Sequence, residues 1–214
     1  MTDHTLLLDS PAEDVTADFT ARLQRSAGAP SAVLPAVKLA VHQDLRAIET
    51  RWRTFEKAAD GTAFQTYEWL ATWQQHVGKR HGVRPVVVTG TDSHDAMLFL
   101  LPLAIDRLGP ARRLTWLGSD LCDYNAPLLA PDFARRVGAV SFAQLWQDVL
   151  KEISRHEGLR FDFVHFEKMP EVVGRQTNPL CGLAVAENPS HAYQARLGSD
   201  WDTFYAEKRS SNTR

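Results

Sequence analysis

Three apolar runs follow one another in the middle of the chain: Val83-Arg-Pro-Val-Val-Val-Thr-Gly-Thr91, Ala96-Met-Leu-Phe-Leu-Leu-Pro-Leu-Ala-Ile105 and Arg112-Arg-Leu-Thr-Trp-Leu117. Valine and leucine dominate them, which is typical of buried strands. The hairpin-forming residues Thr91-Asp-Ser-His-Asp95 separate the first two runs. Because Pro102 cannot donate to a strand ladder, an edge, a bulge or a strand end is expected there. The three runs predict an antiparallel meander.

One strand and two helices are predicted before the meander. Residues 37–42 alternate between apolar and polar side chains, as in a half-buried strand. Asp44 then stands where it can cap a helix. A second amphipathic segment spans residues 64–78. The apolar side chains that recur at helical spacing in the first helix are Leu45, Ile48, Trp52 and Phe55.

Further elements are predicted after the meander. Residues 142–153 carry the apolar stripe of a strong helix, and Phe161-Asp-Phe-Val-His-Phe166 reads as a central strand. Residues 170–177 are expected to hold a short helix. Residues 183–186 and 193–197 are expected to supply two last strands. The fold class predicted is α/β, or α+β, with a mixed and largely antiparallel sheet flanked by helices.

The two ends of the chain differ from this central part, residues 35–198. Residues 1–34 have weak periodicity and are predicted to form a flexible arm. Residues 199–214 begin a helix with Ser199 as its cap, and no Gly or Pro closes that helix. Its bulky side chains need a packing partner, so we expect the segment to lead into a missing second domain or to dock a partner chain. These side chains are Trp201, Phe204 and Tyr205. The alternative is a frayed C-terminal helix that docks on its own domain.

The composition is that of an ordinary globular protein. The chain has 214 residues, of which 44% are hydrophobic and 23% charged, enough for one sizeable core. A formal net charge of -2 provides no global field for nucleic acid. Two cysteines are too few for a disulfide framework or a zinc site, so no metal is expected. No stretch is long enough to span a membrane, and a cytoplasmic location is predicted.

The order of elements and four short motifs resemble a known family. The order strand, helix, helix, three strands, helix, strand is similar to the GNAT superfamily of acyl-CoA-dependent N-acyltransferases. The motifs narrow the resemblance, over residues 36–214, to the CelD-like tandem GNAT proteins of cellulose or exopolysaccharide biosynthesis. The motifs are Phe64-Gln-Thr-Tyr-Glu-Trp-Leu-Ala-Thr-Trp73, Leu101-Pro-Leu103, Cys122-Asp-Tyr124 and Trp201-Asp-Thr-Phe-Tyr-Ala-Glu-Lys-Arg209.

The resemblance implies that this chain is an amino-terminal half. The second half of such a protein is expected to hold the acyl-CoA, typically acetyl-CoA, in a Gln/Arg-x-x-Gly-x-Gly/Ala loop after its fourth strand. At the matching place this chain has residues 118–127, where Asp120 and Asp123 would repel a diphosphate. We therefore expect no cofactor to bind this chain alone, and no activity from it alone. The alternative is a non-catalytic module that binds a polysaccharide precursor or a protein.

The best candidate substrate site is formed by Asp123, Tyr124 and Asn125. A carboxylate, a phenol and an amide on one loop can hold an amine or a sugar hydroxyl, and Asp123 is a weak candidate for a catalytic base. The same residue types are also ordinary turn formers, so a structural role stays open. Other candidates have simpler interpretations. Trp69 and Trp73 are expected to pack, and His165 is expected to lie in the core.

Overall fold

The structure of the protein is a computed structural model that describes residues 37–183 and 198–208. Within these ranges the strands are β1 (Lys38–His42), β2 (Arg84–Thr91), β3 (Met97–Leu108), β4 (Ala111–Trp116), β5 (Leu128–Leu129), β6 (Phe163–Val164), β7 (Val172–Val173) and β8 (Gln176–Thr177). The α-helices there are α1 (Leu45–Glu56), α2 (Tyr67–Trp73), α3 (Phe133–Val137), α4 (Ala139–Arg155) and α5 (Trp201–Lys208).

Six of the described strands form one mixed sheet in the spatial order β1, β2, β3, β4, β6, with β5 added to β3. Every pair is antiparallel except β4 with β6, which run parallel. The predicted fold class is thereby confirmed: the sheet is largely antiparallel, helices flank it, and two helices follow its first strand. The predicted meander is β2, β3 and β4.

The edge of β3 that faces β4 is forked. Phe99 and Leu100 pair with β5, whereas β4 pairs only from Leu103 onwards. Pro102 lies between the two partners, and its carbonyl accepts a hydrogen bond of 2.8 Å from the Leu117 N–H. Since the N–H and C=O of one strand residue point to the same side, the donor that proline lacks would face this fork. β3 therefore continues through Pro102, and the strands that end beside this residue are its partners β4 and β5.

The sheet separates two apolar cores. On one face α3 and α4 pack on β2, β3 and β4, and on the other α1 and α2 pack on β2 and β3. Local chemistry positions α1: its N-cap Asp44 accepts from the Arg46 N–H at 3.0 Å, and its buried residues recur at helical spacing. Trp52 is fully buried, and its Nε1 donates to the Gln65 carbonyl at 3.0 Å.

Two predictions downstream of α4 are wrong. The predicted central strand at 161–166 is reduced to β6, which lies at the edge of the sheet in the described part of the chain, because its parallel pairing with β4 has only two registered residue pairs. The predicted short helix at 170–177 is instead the β7–β8 hairpin. Gly174 turns this hairpin with a φ of +60°, a conformation that favours glycine.

The end segments are only partly described. The predicted arm at 1–34 and residues 184–197, with the two last predicted strands, lie outside the described residues. A helix within 199–214 is present as α5, but its cap is wrong in the prediction. The Thr203 hydroxyl and N–H both donate to Asp200 Oδ2, the N–H at 2.8 Å, so Asp200 rather than Ser199 caps the helix. The bond from the hydroxyl and then that from the N–H lower the pKa of Asp200.

Candidate functional site: an acidic loop between parting strands

The β4–β5 loop (residues 117–127) carries the three predicted substrate residues and lies where β4 and β6 part. The last bond between these parallel strands runs from the His165 N–H to the Leu114 carbonyl at 2.9 Å. Beyond it the loop becomes the partner of the chain that follows β6, because the Asn125 N–H donates to the Lys168 carbonyl at 2.9 Å. The loop is therefore held by β4 at its start and by the chain that follows β6 near its end.

The ammonium group of Lys168 organises the turn inside this loop. Its Nζ donates to the Ser119 carbonyl at 3.2 Å and to the Cys122 carbonyl at 3.1 Å, with the Asp120 carbonyl at 3.5 Å. Lys168 itself has a φ of +55°, an uncommon conformation for a residue with a side chain. An ammonium offers three donors and no acceptor, so it suits a cluster of carbonyls. The turn is thus built around a cation.

The structure places two predicted substrate residues in supporting roles. Asn125 is only 2% exposed, and its Nδ2 donates to the Glu167 carbonyl at 3.1 Å, so its amide fixes the loop. Tyr124 is half-buried, and its carbonyl accepts from Gln65 Nε2 at 2.8 Å, which ties the loop to the helical layer. The Tyr124 ring lies 6.4 Å from that of Phe64. The contacts of Asn125 therefore support a structural role, in which its side chain holds the loop in place.

A polar pair that the sequence analysis missed lies next to this loop. Arg113 donates to both carboxylate oxygens of Asp106, at 2.7 and 2.9 Å, and the two residues face each other across β3 and β4. Hydrogen bonding to Asp106 raises the pKa of Arg113, burial opposes this, and the charges of Asp106, Asp120 and Glu167 add to the rise. The hairpin register alone would have revealed the pair, since a turn at 109–110 sets 106 opposite 113.

His165 lies between Arg113 and Glu167. Its Nδ1 is 3.4 Å from a nitrogen of Arg113, and its Nε2 is 3.5 Å from Glu167 Oε1. A guanidinium only donates, so Nδ1 is assigned as the acceptor and Nε2 as the protonated nitrogen. The side chain is 41% exposed, so the prediction of a core histidine is wrong, because β6 is an edge strand among the described residues. With both nitrogens engaged, His165 offers no free lone pair to an incoming amine.

The loop and the strand beside it present an acidic rim, which we define as the exposed residues Asp120, Asp123 and Glu167. No hydrogen bond to the Asp123 side chain is found within the described ranges. Arg113 is paired with its carboxylate partner, whereas Lys168 keeps its charge because, among the described residues, its ammonium contacts only loop carbonyls, so three carboxylates face one unpaired cation. The rim therefore carries a net negative charge and faces solvent.

Cys122 is buried behind the rim. It is 1% exposed, and the Trp69 Nε1 donates to its Sγ at 3.3 Å. Burial raises the pKa of the Cys122 thiol, and the charges of Asp123 and Asp120 act in the same direction. The thiolate is therefore disfavoured, with burial as the main cause. Trp69 also packs edge-on against Phe64, at 5.6 Å between ring centroids, but it is 40% exposed, so the predicted packing role holds only in part. Trp73 is buried, as predicted.

Aromatic side chains fill the space between the parting strands on the opposite face. The Trp116 ring lies 4.8 Å from that of Phe166, and Trp146 of α4 lies 5.6 Å from the same ring. Trp116 is 2% exposed, and its Nε1 has no hydrogen-bond partner among the described residues. On this face of the sheet, aromatic rings therefore fill the space between β4 and the chain that follows β6.

The β4–β5 loop does not fit the diphosphate of an acyl-CoA. The N–H groups of Ser119, Leu121 and Asn125 donate to backbone carbonyls at 3.4, 3.0 and 2.9 Å, so they are not free to cradle an anion. Asp120 and Asp123 are exposed on the same turn. The next helix, α3, follows only after β5, so no helix begins at the loop to complement a phosphate.

Two searches of the described residues give negative findings. Within 37–183 and 198–208, no group of three or more His, Cys, Asp or Glu side chains is arranged to hold a metal ion. None of the helices in those ranges combines the length and the apolar character needed to cross a membrane.

Comparison of the chain with protein-family models, with curated proteins and with solved structures finds no match.

Proposed function

We propose that this chain is the acceptor-binding half of a GNAT-type acyl-CoA-dependent N-acyltransferase, and that a second half or a partner chain holds the acyl donor. The acidic rim carries the proposal. A surface of exposed carboxylates attracts a protonated amine, such as that of an amino sugar, and repels phosphate. Asp123 is the carboxylate we assign to the ammonium group, because no other side chain of the described residues occupies it.

The polar residues around the rim support a binding role rather than catalysis by this half alone. An amine must lose a proton when it is acylated, and that step needs a base with a free lone pair. His165 has both ring nitrogens engaged by Arg113 and Glu167, and Asp123 is the carboxylate we assign to holding the ammonium group. We propose that the group which completes the reaction comes from the other half.

The exposed aromatic face of α5 is the surface we assign to that other half. Trp201 is 60% exposed, and its ring stacks on Tyr205 at 5.7 Å between centroids, with Phe204 also 5.7 Å away. Neighbouring exposed aromatic side chains are typical of protein interfaces. We place the protein in the cytoplasm, because Cys122 and Cys181 are both free thiols.

A second candidate is a non-catalytic module that binds saccharide or protein. The engaged His165 favours it, because a binding module needs no base. The two candidates differ in the ligand feature that they require. The acceptor half requires a free amine, whereas a saccharide module would also bind the N-acetylated sugar.

Calorimetry with glucosamine tests the proposal. We expect saturable binding of glucosamine, no binding of N-acetylglucosamine, and roughly tenfold weaker binding of glucosamine by Asp123→Asn, because the variant loses one charge-assisted hydrogen bond. Asp148→Asn makes the same change on the surface of α4 and serves as the control. Equal binding of both sugars would favour the module. Acetylation of glucosamine by the chain alone when acetyl-CoA is supplied would contradict the assignment of the donor to another half.

A further inference from the structure

Three arginines converge on one face of the sheet at the end opposite the acidic rim. Arg107 of β3 and Arg112 of β4 are direct cross-strand partners. Arg84 of β2 faces Ile105, which lies two residues before Arg107 and therefore on the same face. The three side chains thus come from adjacent strands and point to one side.

These arginines line a groove of about 380 Å³. Ile105, which is 2% exposed, also lines the groove, and its other lining residues are Gly82 and Asp106. The turn at Gly158 approaches the same place, since a Cβ built there would lie 3.3 Å from an Arg84 nitrogen. The basic groove, as we call this site, is concave and lined mainly by polar groups.

None of the three guanidinium groups has a carboxylate partner among residues 37–183 and 198–208. Two carboxylates lie on these strands or beside them, and neither forms an ion pair with one of the three guanidinium groups. Asp106 is held by Arg113 on the other face of the sheet, and Asp162 accepts from the backbone N–H of Arg112 at 2.7 Å. Like charges placed directly opposite each other on adjacent strands repel. The register of Arg107 and Arg112 therefore favours a bound counter-anion.

We infer that the basic groove binds a phosphorylated small molecule through Arg84, Arg107 and Arg112. One carboxylate accepts one guanidinium fork, whereas a phosphate or diphosphate offers enough oxygens around its phosphorus atoms for three forks. The groove is small and the chain has a net charge of -2, so an extended polyanion such as nucleic acid is not favoured. This site is separate from the acidic rim and does not depend on the proposed transferase function.

Calorimetry with inorganic pyrophosphate tests this inference on the full chain. We expect saturable binding that weakens at higher salt, and roughly tenfold weaker binding by Arg112→Gln, because a charge-assisted hydrogen bond is lost. Arg135→Gln is the matched control: its side chain is 81% exposed on α3, which packs near the opposite end of the sheet. The control should bind pyrophosphate as the unchanged chain does.

Melting temperatures show whether the variant is folded and give a second measure of ligand binding. Without ligand and at low salt, Arg112→Gln should unfold at a higher temperature than the unchanged chain, because the repulsion with Arg107 is removed. Added pyrophosphate should raise the melting temperature of the unchanged chain more than that of the variant. Absence of pyrophosphate binding, binding that Arg112→Gln leaves intact, or equal binding of citrate, whose charge is carried by carboxylates, would each overturn the inference.

Discussion

Gly90 illustrates how a single missing side chain shapes the core. A Cβ built at this position would lie 2.1 Å from a ring carbon of Phe99, which is 1% exposed. The register between β2 and β3 also shifts between Gly90 and Thr91. The Phe99 ring in turn packs edge-on against Phe133 of α3, at 6.0 Å between centroids. The bare backbone at Gly90 thus allows the ring to lie across β2.

Gly90→Ala should therefore destabilise the fold. The added methyl group overpacks the site against a buried ring, which costs about 1–3 kcal/mol in the free energy of unfolding. Urea unfolding followed by circular dichroism measures the change. Gly182→Ala is the control, because a Cβ there meets no atom within 4 Å. Equal stability of the two variants would show that the Phe99 ring moves aside without cost.

At the scale of elements, Asp92 joins the β2–β3 hairpin to α3. Its Oδ1 accepts from the His94 and Ala96 N–H groups at 2.8 and 2.9 Å. Its Oδ2 pairs with Arg136 of α3. The bond from Arg136 is the main cause that lowers the pKa of Asp92 from its ordinary 3.8 to about 2. One carboxylate thus closes a turn and holds a helix beside it.

This pairing predicts a specific acid sensitivity. Because the folded-state pKa is depressed, the stabilisation from Asp92 is complete above about pH 4 and is lost as the pH falls towards about 2. Asp92→Asn should be less stable near neutral pH and should show a smaller loss of stability over that range. Urea midpoints measured between pH 7 and the acid range, each about one pH unit apart, test this. Asp148→Asn is the control and should follow the pH dependence of the unchanged chain. If the urea midpoint of Asp92→Asn falls with pH as steeply as that of the unchanged chain, the prediction is contradicted.

The sequence predicts those elements whose apolar pattern is long. The meander and the first helix carry enough valine, leucine and tryptophan to specify burial from local pattern alone. The strand at 161–166 was predicted, but its central position was wrong, because only Phe163 and Val164 form registered pairs with β4. The β7–β8 hairpin escaped prediction because it depends on distant contacts, in which Gln176 Nε2 donates to Asp60 Oδ2 at 2.7 Å and to the Ala130 carbonyl at 2.8 Å.

The candidate site was only partly predictable for the same reason. Asp123 could be proposed from its loop, because turn residues are recognised locally. The pairing of Arg113 with Asp106 follows from the strand register, and the place of Lys168 depends on the chain folding back on Ser119 over a sequence separation of 49. The order of residues along a short stretch of sequence does not predict contacts over such separations. The side chains that hold the β4–β5 loop are therefore recognised only in the folded chain.

At the scale of the whole molecule, positive charge lies near the start of β4 and negative charge beyond its end. Arg112 near its start belongs to the basic groove, and the acidic rim follows its end. The two proposed sites therefore lie at opposite ends of one strand. A ligand with an amine and a ligand with a phosphate would approach different ends of the sheet.

The stability of the molecule is also uneven. Helix α5 has eight residues, and Trp201 in it is 60% exposed, whereas Leu100 of β3 is fully buried. Short helices with little burial open easily. In hydrogen exchange followed by mass spectrometry, we expect the α5 amides to exchange close to the rate of an unfolded peptide and the β3 amides to be the most protected. Equal protection of both would contradict this description of α5.

The forked edge of β3 gives the fold freedom to diversify. β4 and β5 each set their own pairing with β3, so the eleven-residue connection between them, residues 117–127, does not define either register. Related chains could lengthen this connection or exchange its side chains and still keep the same ladder. Changes in ligand preference could then accumulate at the acidic rim while the folding of the sheet is left intact.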